Sequence, residues 1–360
     1  MTASSWSDLV TLASCLNGHI PKVLNWDGIV ALANRSLTIT SLAGAVTDAK
    51  PHLPEDLTNY LSMIYRRNTE RNCRLKAQLA EAAASLNDIG IEPVVMKGTA
   101  ILASAAPEDL GARLLTDLDI LVRPQDMRGA TKALCRAGYA VALSSGEGSW
   151  PGNTEYHLPV VLVRPTDVGS IDLQCRPKGP ASFGGADWLY RDSCLVDLGG
   201  GRLRVPTPFA QIVLLILHDQ FQDGDYWRGL TDLRHLLDIA RLARASSIDW
   251  NELRSLFASG YERNAVETQI LTAAALLGLN RTASTEVGSR ARIQLARRRL
   301  QLGRDYLRVP LTLLTLISEV AYYRSWDRFG GEPYPSQRHE LVRKAREIRR
   351  NFRVKPPGKL

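Results

Sequence analysis

Two aspartates interrupt an otherwise apolar segment of the sequence, LLTDLDILV (114–122). A β-strand points successive side chains to opposite faces of a sheet, so Asp117 and Asp119 share one face while Leu118 and Ile120 face the other way. Buried carboxylates are costly, and two on one face repel each other unless a cation lies between them. This segment therefore predicts a strand with one apolar face and one cation-binding face.

A third carboxylate lies in a similar segment, SIDLQC (170–175). If that strand pairs beside the first, Asp172 joins Asp117 and Asp119 as a ligand set. Mg²⁺ prefers such oxygen ligands, with Mn²⁺ as an alternative. Two such ions can clamp the attacking and leaving oxygens of a phosphoryl transfer. A lone Asp-x-Asp is more often an exposed strand end or a turn, so the interpretation depends on its surroundings.

The segment VVMKGTA (94–100) precedes the aspartates and supplies groups suited to phosphate. Glycine at position 98 lets backbone amides approach an anion closely, and a helix N-terminus favours negative charge. Thr99 can donate a hydroxyl, while Lys97 and Arg113 can neutralise a triphosphate. These four residues are the predicted nucleotide-binding groups.

The predicted fold is α+β, with a small mixed β-sheet core flanked by N-terminal and C-terminal helical regions. Apolar residues at three- and four-residue intervals predict helix before and after the core, and Gly90 is placed as a helix C-cap. The predicted strands are 91–96, 118–122, 139–143, 156–163 and 170–175, with a helix at 125–138. The predicted segments are an N-terminal helical region (1–88), the α/β core (89–205), a C-terminal helical domain (206–335) and a basic tail (336–360).

Positive charge is concentrated near the end of the sequence. Of the net charge of +8, residues 338–360 contribute +7, from nine Lys or Arg against two Glu. A second basic cluster, 290–304, falls on a predicted helix. An anionic partner such as nucleic acid is one interpretation, and a solvated helical face with an exposed tail is the other.

Composition and cysteine usage are those of a globular protein. The chain has 360 residues, 45% of them hydrophobic and 23% charged, enough for two or three domains. Its five cysteines are scattered without metal-ligand spacing. We see no leader-like segment and no run long enough for a membrane span, so a cytoplasmic location is expected.

The order of these motifs resembles the DNA polymerase β-like nucleotidyltransferase superfamily, and more narrowly its bacterial family of uncharacterised nucleotidyltransferases. The resemblance is carried by MKGTA, ARLLTDLDILV and SIDLQC, and by flanking segments such as LHDQF. It implies that Asp117, Asp119 and Asp172 are catalytic metal ligands, the last also activating the acceptor hydroxyl. Gly98 and Thr99 would cradle the nucleotide phosphates, and Gln174 stands where the narrower family has histidine.

The resemblance implies transfer of a nucleoside monophosphate from an NTP to an acceptor hydroxyl or phosphate. A ribosomally made, lasso-type peptide is the first candidate acceptor. An RNA, as for toxin-type transferases that modify tRNA, and a small molecule are alternatives. A non-catalytic module that binds nucleic acid or a protein partner is the competing class, which the three carboxylates disfavour. Which nucleotide is used is left open.

Four further features are interpreted mainly as structural. His157 is expected to be a satisfied structural histidine, and His218-Asp219 either borders the cleft or is a helix cap or surface pair. Tryptophans 188, 227 and 250 are expected in the core, and Asp249 as a helix N-cap.

Overall fold

The computed structural model describes residues 5–49, 53–143, 160–177, 179–257, 260–280, 288–318 and 357–360. Contacts divide the chain into two compact units, called here the sheet unit and the helical unit. The sheet unit comprises Thr40–Pro177 and Phe183–Leu214, and the helical unit comprises Met1–Ile39, Lys178–Ser182 and Leu215–Leu360. The four-segment division expected from the sequence stays a prediction.

The sheet unit contains a mixed sheet of seven strands within the described residues, in the order β3-β4-β5-β2-β1-β7-β6. The strands are β1 (Val94–Val95), β2 (Asp117–Leu121), β3 (Ala140–Leu143), β4 (Val160–Val163), β5 (Ser170–Gln174), β6 (Ser193–Leu198) and β7 (Gly201–Pro206). The pairs β2–β5 and β1–β7 are parallel, and the other four pairs are antiparallel. The predicted α+β class is confirmed.

Helices lie before, between and after the strands. They are α1 (Trp6–Leu16), α2 (Trp26–Arg35), α3 (Ile39–Ala49), α4 (Glu55–Asn87), α5 (Lys97–Ser104), α6 (Met127–Arg136), α7 (Asp187–Arg191), α8 (Pro208–Ile216), α9 (Asp225–Arg228), α10 (Leu233–Ala245), α11 (Trp250–Ser255), α12 (Gly260–Leu277), α13 (Ser289–Gln301) and α14 (Arg308–Ser318). A π-helical turn, Leu217–Gln222, continues α8. None of the described helices has the length and apolar character that a membrane crossing requires.

Most predicted strands are present, with two differences. The first strand is shorter than predicted, since only Val94–Val95 of 91–96 pair, and residues 156–159 of the fourth lie outside the described residues, as does His157. The hairpin of β6 and β7 was not predicted. Several of its side chains are exposed, and its turn is formed by Gly199 and Gly200, whose φ angles of 60° and 99° are left-handed.

Helix α4 is long and packs its buried residues against the sheet. Acidic residues in its first turn suit the positive end of the helix dipole. Gly90, at φ 77°, follows its end as predicted. Gly201 of β7 lies so close to the helix that a β-carbon there would stand 2.4 Å from the carbonyl oxygen of Ala80. Only glycine fits this contact without a shift of the backbone.

The two faces of β2 differ as their sequence predicts. Leu118 and Ile120 are fully buried in a core that also contains Leu79 of α4 and Leu134 of α6. Because side chains alternate along the strand, Asp117 and Asp119 project from the opposite face. The helices that cover one face thus leave the carboxylates on the other.

The helical unit has an aromatic core. Trp227 stacks on Tyr261 with ring centroids 4.7 Å apart, and Phe221 stacks on Phe257. Trp227 and Trp250 are buried as predicted, whereas Trp188, in the sheet unit, is partly buried. Asp249 is the predicted N-cap of α11, and its side chain accepts hydrogen bonds from the next turn's amides. All five cysteines are free thiols.

Candidate active site

The structure places the three predicted carboxylates on one face of the sheet. Strand β2 pairs with β5 in parallel, and the register sets Asp119 opposite Asp172 and Asp117 opposite Ser170. Residues opposite each other in adjacent strands point to the same face of a sheet. The condition that Asp172 lie beside the other two, and not on the far surface, is therefore met by the backbone register.

Asp119 is the most enclosed of the three and is held by cationic and polar donors. Its Oδ1 accepts from the Lys97 Nζ at 2.8 Å and from the Gln174 Nε2 at 3.1 Å. Its backbone amide donates to the Thr99 Oγ1 at 2.8 Å. The sequence predicted that a cation is needed beside these aspartates. In this structure the Lys97 ammonium supplies positive charge at Asp119.

Lys97 reaches the aspartate from an unusual backbone position. It begins α5 with φ at 51°, in the left-handed region that non-glycine residues seldom adopt. Such strain persists where the surroundings hold it and is found at functional sites. At the neighbouring Gly98, a β-carbon would stand 2.3 Å from Leu115 Cδ2 and 3.1 Å from Arg113 Nη1, so the Leu115 side chain would have to move to admit one.

The other two residues predicted to bind phosphate are buried. Thr99 is fully buried, and its hydroxyl joins α5 to β2 through the Asp119 amide. Arg113 is 6% exposed, and its Nη1 donates to the carbonyl of Leu114 at 3.0 Å. In this conformation both residues hold the turn around Gly98, and their phosphate-binding role stays a prediction.

Three residues on α4 that sequence reasoning missed hold the connection between α5 and β2. Asn72 donates to the carbonyls of Leu110 at 2.6 Å and Arg113 at 2.8 Å. Asn68 donates to Arg113 at 2.9 Å, and also to the carbonyl of Gly111 at the same distance. Both asparagines are buried, so these bonds satisfy backbone groups that water cannot reach.

Arg71 is the third of these residues and the one nearest the acidic face. Its guanidinium donates to the carbonyls of Leu115 and, at 2.7 Å, Val168. Burial lowers its pKa, while the field of Asp117 opposes that shift. The signal in the sequence was a run of polar side chains, Asn-x-x-Arg-Asn (68–72), on the inner face of an amphipathic helix.

Comparison with known proteins identifies the family. Residues 22–278 match the family described as uncharacterised nucleotidyltransferase. This chain belongs to that family. The match spans most of the chain and includes all the predicted site residues, so the resemblance seen in the motifs is confirmed. By its family, the chain is a nucleotidyltransferase.

Other comparisons add little to this assignment. No curated protein sequence matches the chain. The solution structure of the antibiotic-resistance factor ANT(2'')-Ia is similar over 57% of this chain and 96% of its own, at 14% identity and a TM-score of 0.33. An antigenic nucleotidyltransferase-like protein from Paracoccidioides brasiliensis is similar over 59% of this chain and 95% of its own, at 14% identity and a TM-score of 0.35.

A second polar cluster lies in the helical unit and corrects one expectation. His218-Asp219 is not a surface pair, because Asp219 is fully buried. Among the described residues, the potential metal ligands whose donor atoms all lie within 4.8 Å of one another are His218, Asp219 and His235. Asp219 Oδ1 already accepts from the His235 Nδ1 at 2.7 Å and the Lys359 Nζ at 3.0 Å. The Lys359 ammonium therefore supplies the positive charge that a metal ion would bring.

The structure also locates parts of the two basic clusters. On α13, Arg297 and Arg298 are buried, and they donate to Thr312 and Thr272, at 2.9 and 2.8 Å. They therefore belong neither to a solvated face nor to an anion-binding surface. In the tail only residues 357–360 are described, and Lys359 is buried within the helical unit.

Proposed function

We propose that this chain transfers a nucleoside monophosphate from a nucleoside triphosphate to an acceptor hydroxyl or phosphate, with Mg²⁺ bound by Asp117, Asp119 and Asp172. The observation that carries the proposal is the parallel register of β2 and β5, with Asp119 opposite Asp172. Family membership supports the class of reaction.

The donor set fits a hard divalent cation. Three carboxylates on one sheet face offer the oxygen ligands that Mg²⁺ prefers, and Mn²⁺ suits the same set. Bound there, the ion would neutralise charge on the phosphoryl oxygens and stabilise the departing pyrophosphate. Lys97 already balances one carboxylate, which keeps the acidic face stable before substrate arrives.

The chain's own residues perform the remaining steps of the proposed reaction. Asp172 accepts the proton of the acceptor hydroxyl as its oxygen attacks the α-phosphorus, and the bond to pyrophosphate breaks. Lys97 and Arg71 are positive groups beside the carboxylates, and they offset the charge of the triphosphate. The Gly98 turn at the start of α5 is the proposed contact for phosphate oxygens, which the positive end of a helix favours.

The acceptor is proposed from the family resemblance. A hydroxyl or phosphate on a ribosomally made, lasso-type peptide is the first candidate, with RNA and small molecules as the alternatives. All three carry a nucleophilic oxygen that the same chemistry can use. They differ in size and charge, and a transfer assay separates them directly.

The test is an intact-mass and radiolabel assay of the full chain with Mg²⁺. Each α-³²P-labelled NTP is incubated with peptide, RNA and small-molecule fractions, and label is followed into each fraction. We expect label in one fraction with release of pyrophosphate, and loss of transfer in Asp119→Asn. Asp187→Asn is the matched control, because the side chain of Asp187 is 80% exposed.

The outcomes separate the proposed chemistry from its competitors. Transfer that survives Asp119→Asn would refute the assigned metal ligands. Binding of nucleotide and Mg²⁺ without transfer to any fraction would favour the non-catalytic module. An unlabelled acceptor of increased mass, with the label left in a nucleoside diphosphate and no pyrophosphate released, would indicate that the terminal phosphoryl group is transferred and not the nucleotidyl group.

A further inference from the structure

Residues 357–360 form a short segment, a turn at 357–358 followed by Lys359 and Leu360, that is bound within the helical unit. Lys359 and Leu360 are 4% and 5% exposed. The backbone of Leu360 pairs with Thr231, with N–H to O=C distances of 2.9 and 3.1 Å in the two directions. This is the hydrogen-bond pattern by which a protein adds an extended peptide to its own backbone edge.

The ammonium of Lys359 lies among four carboxylates. Its Nζ is 2.7 Å from Asp225 Oδ2, 3.0 Å from Asp219 Oδ1, 3.2 Å from Asp223 Oδ2 and 3.6 Å from Asp232 Oδ2. We call these four aspartates the lysine site. Burial by itself would lower the pKa of Lys359, but the four aspartates, Asp219 first, raise it well above its usual value.

Two of the four aspartates are also held by groups other than Lys359. Asp219 Oδ1 accepts from His235 Nδ1 at 2.7 Å, and its Oδ2 accepts from Gln269 Nε2 at 2.9 Å. Asp232 caps α10 by accepting from the His235 amide at 3.1 Å. The π-helical turn that carries Asp219 is a rare element that is frequent at functional sites. These bonds fix the positions of Asp219 and Asp232 independently of the ammonium.

The site also has unused acceptor capacity. Asp225 is fully buried, and its Oδ1 lacks a hydrogen-bond partner among the described residues. Burial raises the pKa of this carboxyl to about 7, even beside Lys359. A buried acceptor left in this state is costly, so the site is built to attract positive charge and donors.

The residue before the lysine is constrained by its backbone conformation and by a close neighbour. Gly358 has φ at 82°, and a β-carbon there would stand 2.9 Å from Leu37 Cδ1. The left-handed backbone favours glycine at this position, and the Leu37 side chain would have to move for any other residue. Together, the turn at Gly358, the backbone pairing at Thr231, the ammonium contacts and the buried Leu360 favour a Gly-Lys-Leu sequence.

We propose that the lysine site is a peptide-binding site that recognises a lysine side chain in a Gly-Lys-Leu segment, and that residues 357–360 are its occupant in this chain. The site is distinct from the carboxylates of the sheet unit, and the proposal does not depend on nucleotidyl transfer. Removal of the internal occupant leaves the site able to bind the same segment from a separate peptide.

The first test uses a chain that ends at Pro356. Fluorescence anisotropy follows a labelled peptide, Pro-Pro-Gly-Lys-Leu, and a second peptide with norleucine in place of the lysine. We expect the shortened chain to bind the lysine peptide at least about tenfold more tightly than the norleucine peptide. The full chain should bind neither, because its own segment fills the site. A folded shortened chain that binds both peptides equally, or neither, would overturn the proposal.

The second test keeps the full chain and serves if the shortened chain does not fold. Lys359→Ala should lower the Tm by about 10 °C, since it leaves buried carboxylates without their ammonium. Added n-butylammonium should restore much of this loss, and n-butanol should not. Lys132→Ala, at an exposed position of α6, is the control.

Three results of this second test would count against the lysine site. Lys359→Ala could be as stable as the unchanged chain, or it could gain no stability from n-butylammonium. Stabilisation by Zn²⁺ alone would instead assign His218, Asp219 and His235 as a metal site. Each of these outcomes overturns ammonium recognition.

Discussion

Replacement of Lys97 by methionine tests whether the positive charge at Asp119 is required for stability. The ammonium and carboxylate are 2.8 Å apart, and the two side chains are only 16% and 10% exposed. Methionine keeps the length and apolar part of the side chain. It is also an L-residue like lysine, so the cost of the left-handed φ at this position is unchanged.

The magnitude follows from the burial of the pair. Loss of one partner of a fully buried ion pair costs about 3–5 kcal/mol, because the remaining charge is left uncompensated. Asp119 keeps the hydrogen bond from Gln174 and some contact with water, so we expect about 2–3 kcal/mol. For a unit of this size, that is a fall in Tm of roughly 5–10 °C.

The assay is a double-mutant cycle followed by urea unfolding. Lys97→Met, Asp119→Asn and the double variant are compared, because the double variant removes both charges and leaves neither unpaired. We expect it to be more stable than Lys97→Met, with a coupling free energy of about 2 kcal/mol. Lys132→Met, at an exposed site, should change stability by less than about 0.5 kcal/mol.

Repeating the double-mutant cycle with added Mg²⁺ tests whether Asp119 is a metal ligand. If Asp119 is a metal ligand, Mg²⁺ should stabilise Lys97→Met more than the unchanged chain, since it replaces the missing positive charge. It should not stabilise the double variant in this way. Lys97→Met as stable as the unchanged chain would refute the energetic argument, and equal Mg²⁺ effects in all variants would refute the metal assignment.

Three further predictions follow from the structure. Gly98→Ala should lower the free energy of unfolding in urea by about 1–3 kcal/mol, because its β-carbon meets Leu115. Gly185→Ala, with open space around it, should be nearly neutral. Equal effects of the two substitutions would contradict the close packing at Gly98. Asp172→Asn should lower the transfer rate by about 10²–10⁴-fold in single-turnover assays, and an unchanged rate would remove this carboxylate from the mechanism. Asp225 has its pKa raised from 3.8 to about 7, so its contribution favours folding at low pH and is lost as the pH rises through that window. Asp225→Asn should therefore show a flatter Tm profile between pH 4 and 7, and an unaltered profile would refute this.

Much of the sheet unit was predictable because its signals are local. Alternation of aspartate with leucine and isoleucine placed β2 and its two faces, and Gly90 marked the end of α4. The β6–β7 hairpin escaped prediction because several of its side chains are exposed, so its sequence lacks a continuous apolar pattern. Strand β7 nevertheless lies inside the sheet, a position decided by its pairing with β1.

The residues missed around the candidate active site share one cause. Asn68, Arg71 and Asn72 are distant in sequence from the loop that they hold, and their role depends on where α4 crosses that loop. A polar residue on a helix has the same appearance in the sequence whether it faces water or caps a buried carbonyl. Only the packed structure distinguishes the two cases.

The linear order of residues determined the two-faced strand, the glycine turn before it and the family of the chain, since each depends on neighbours within a few positions. Tertiary structure decided which strand lies beside β2, and so which carboxylate stands opposite Asp119. It also decided that Lys359, in a tail that looked solvent-exposed, is buried among four aspartates. The physical reason is that burial and charge pairing depend on contacts between distant segments, which no local pattern encodes.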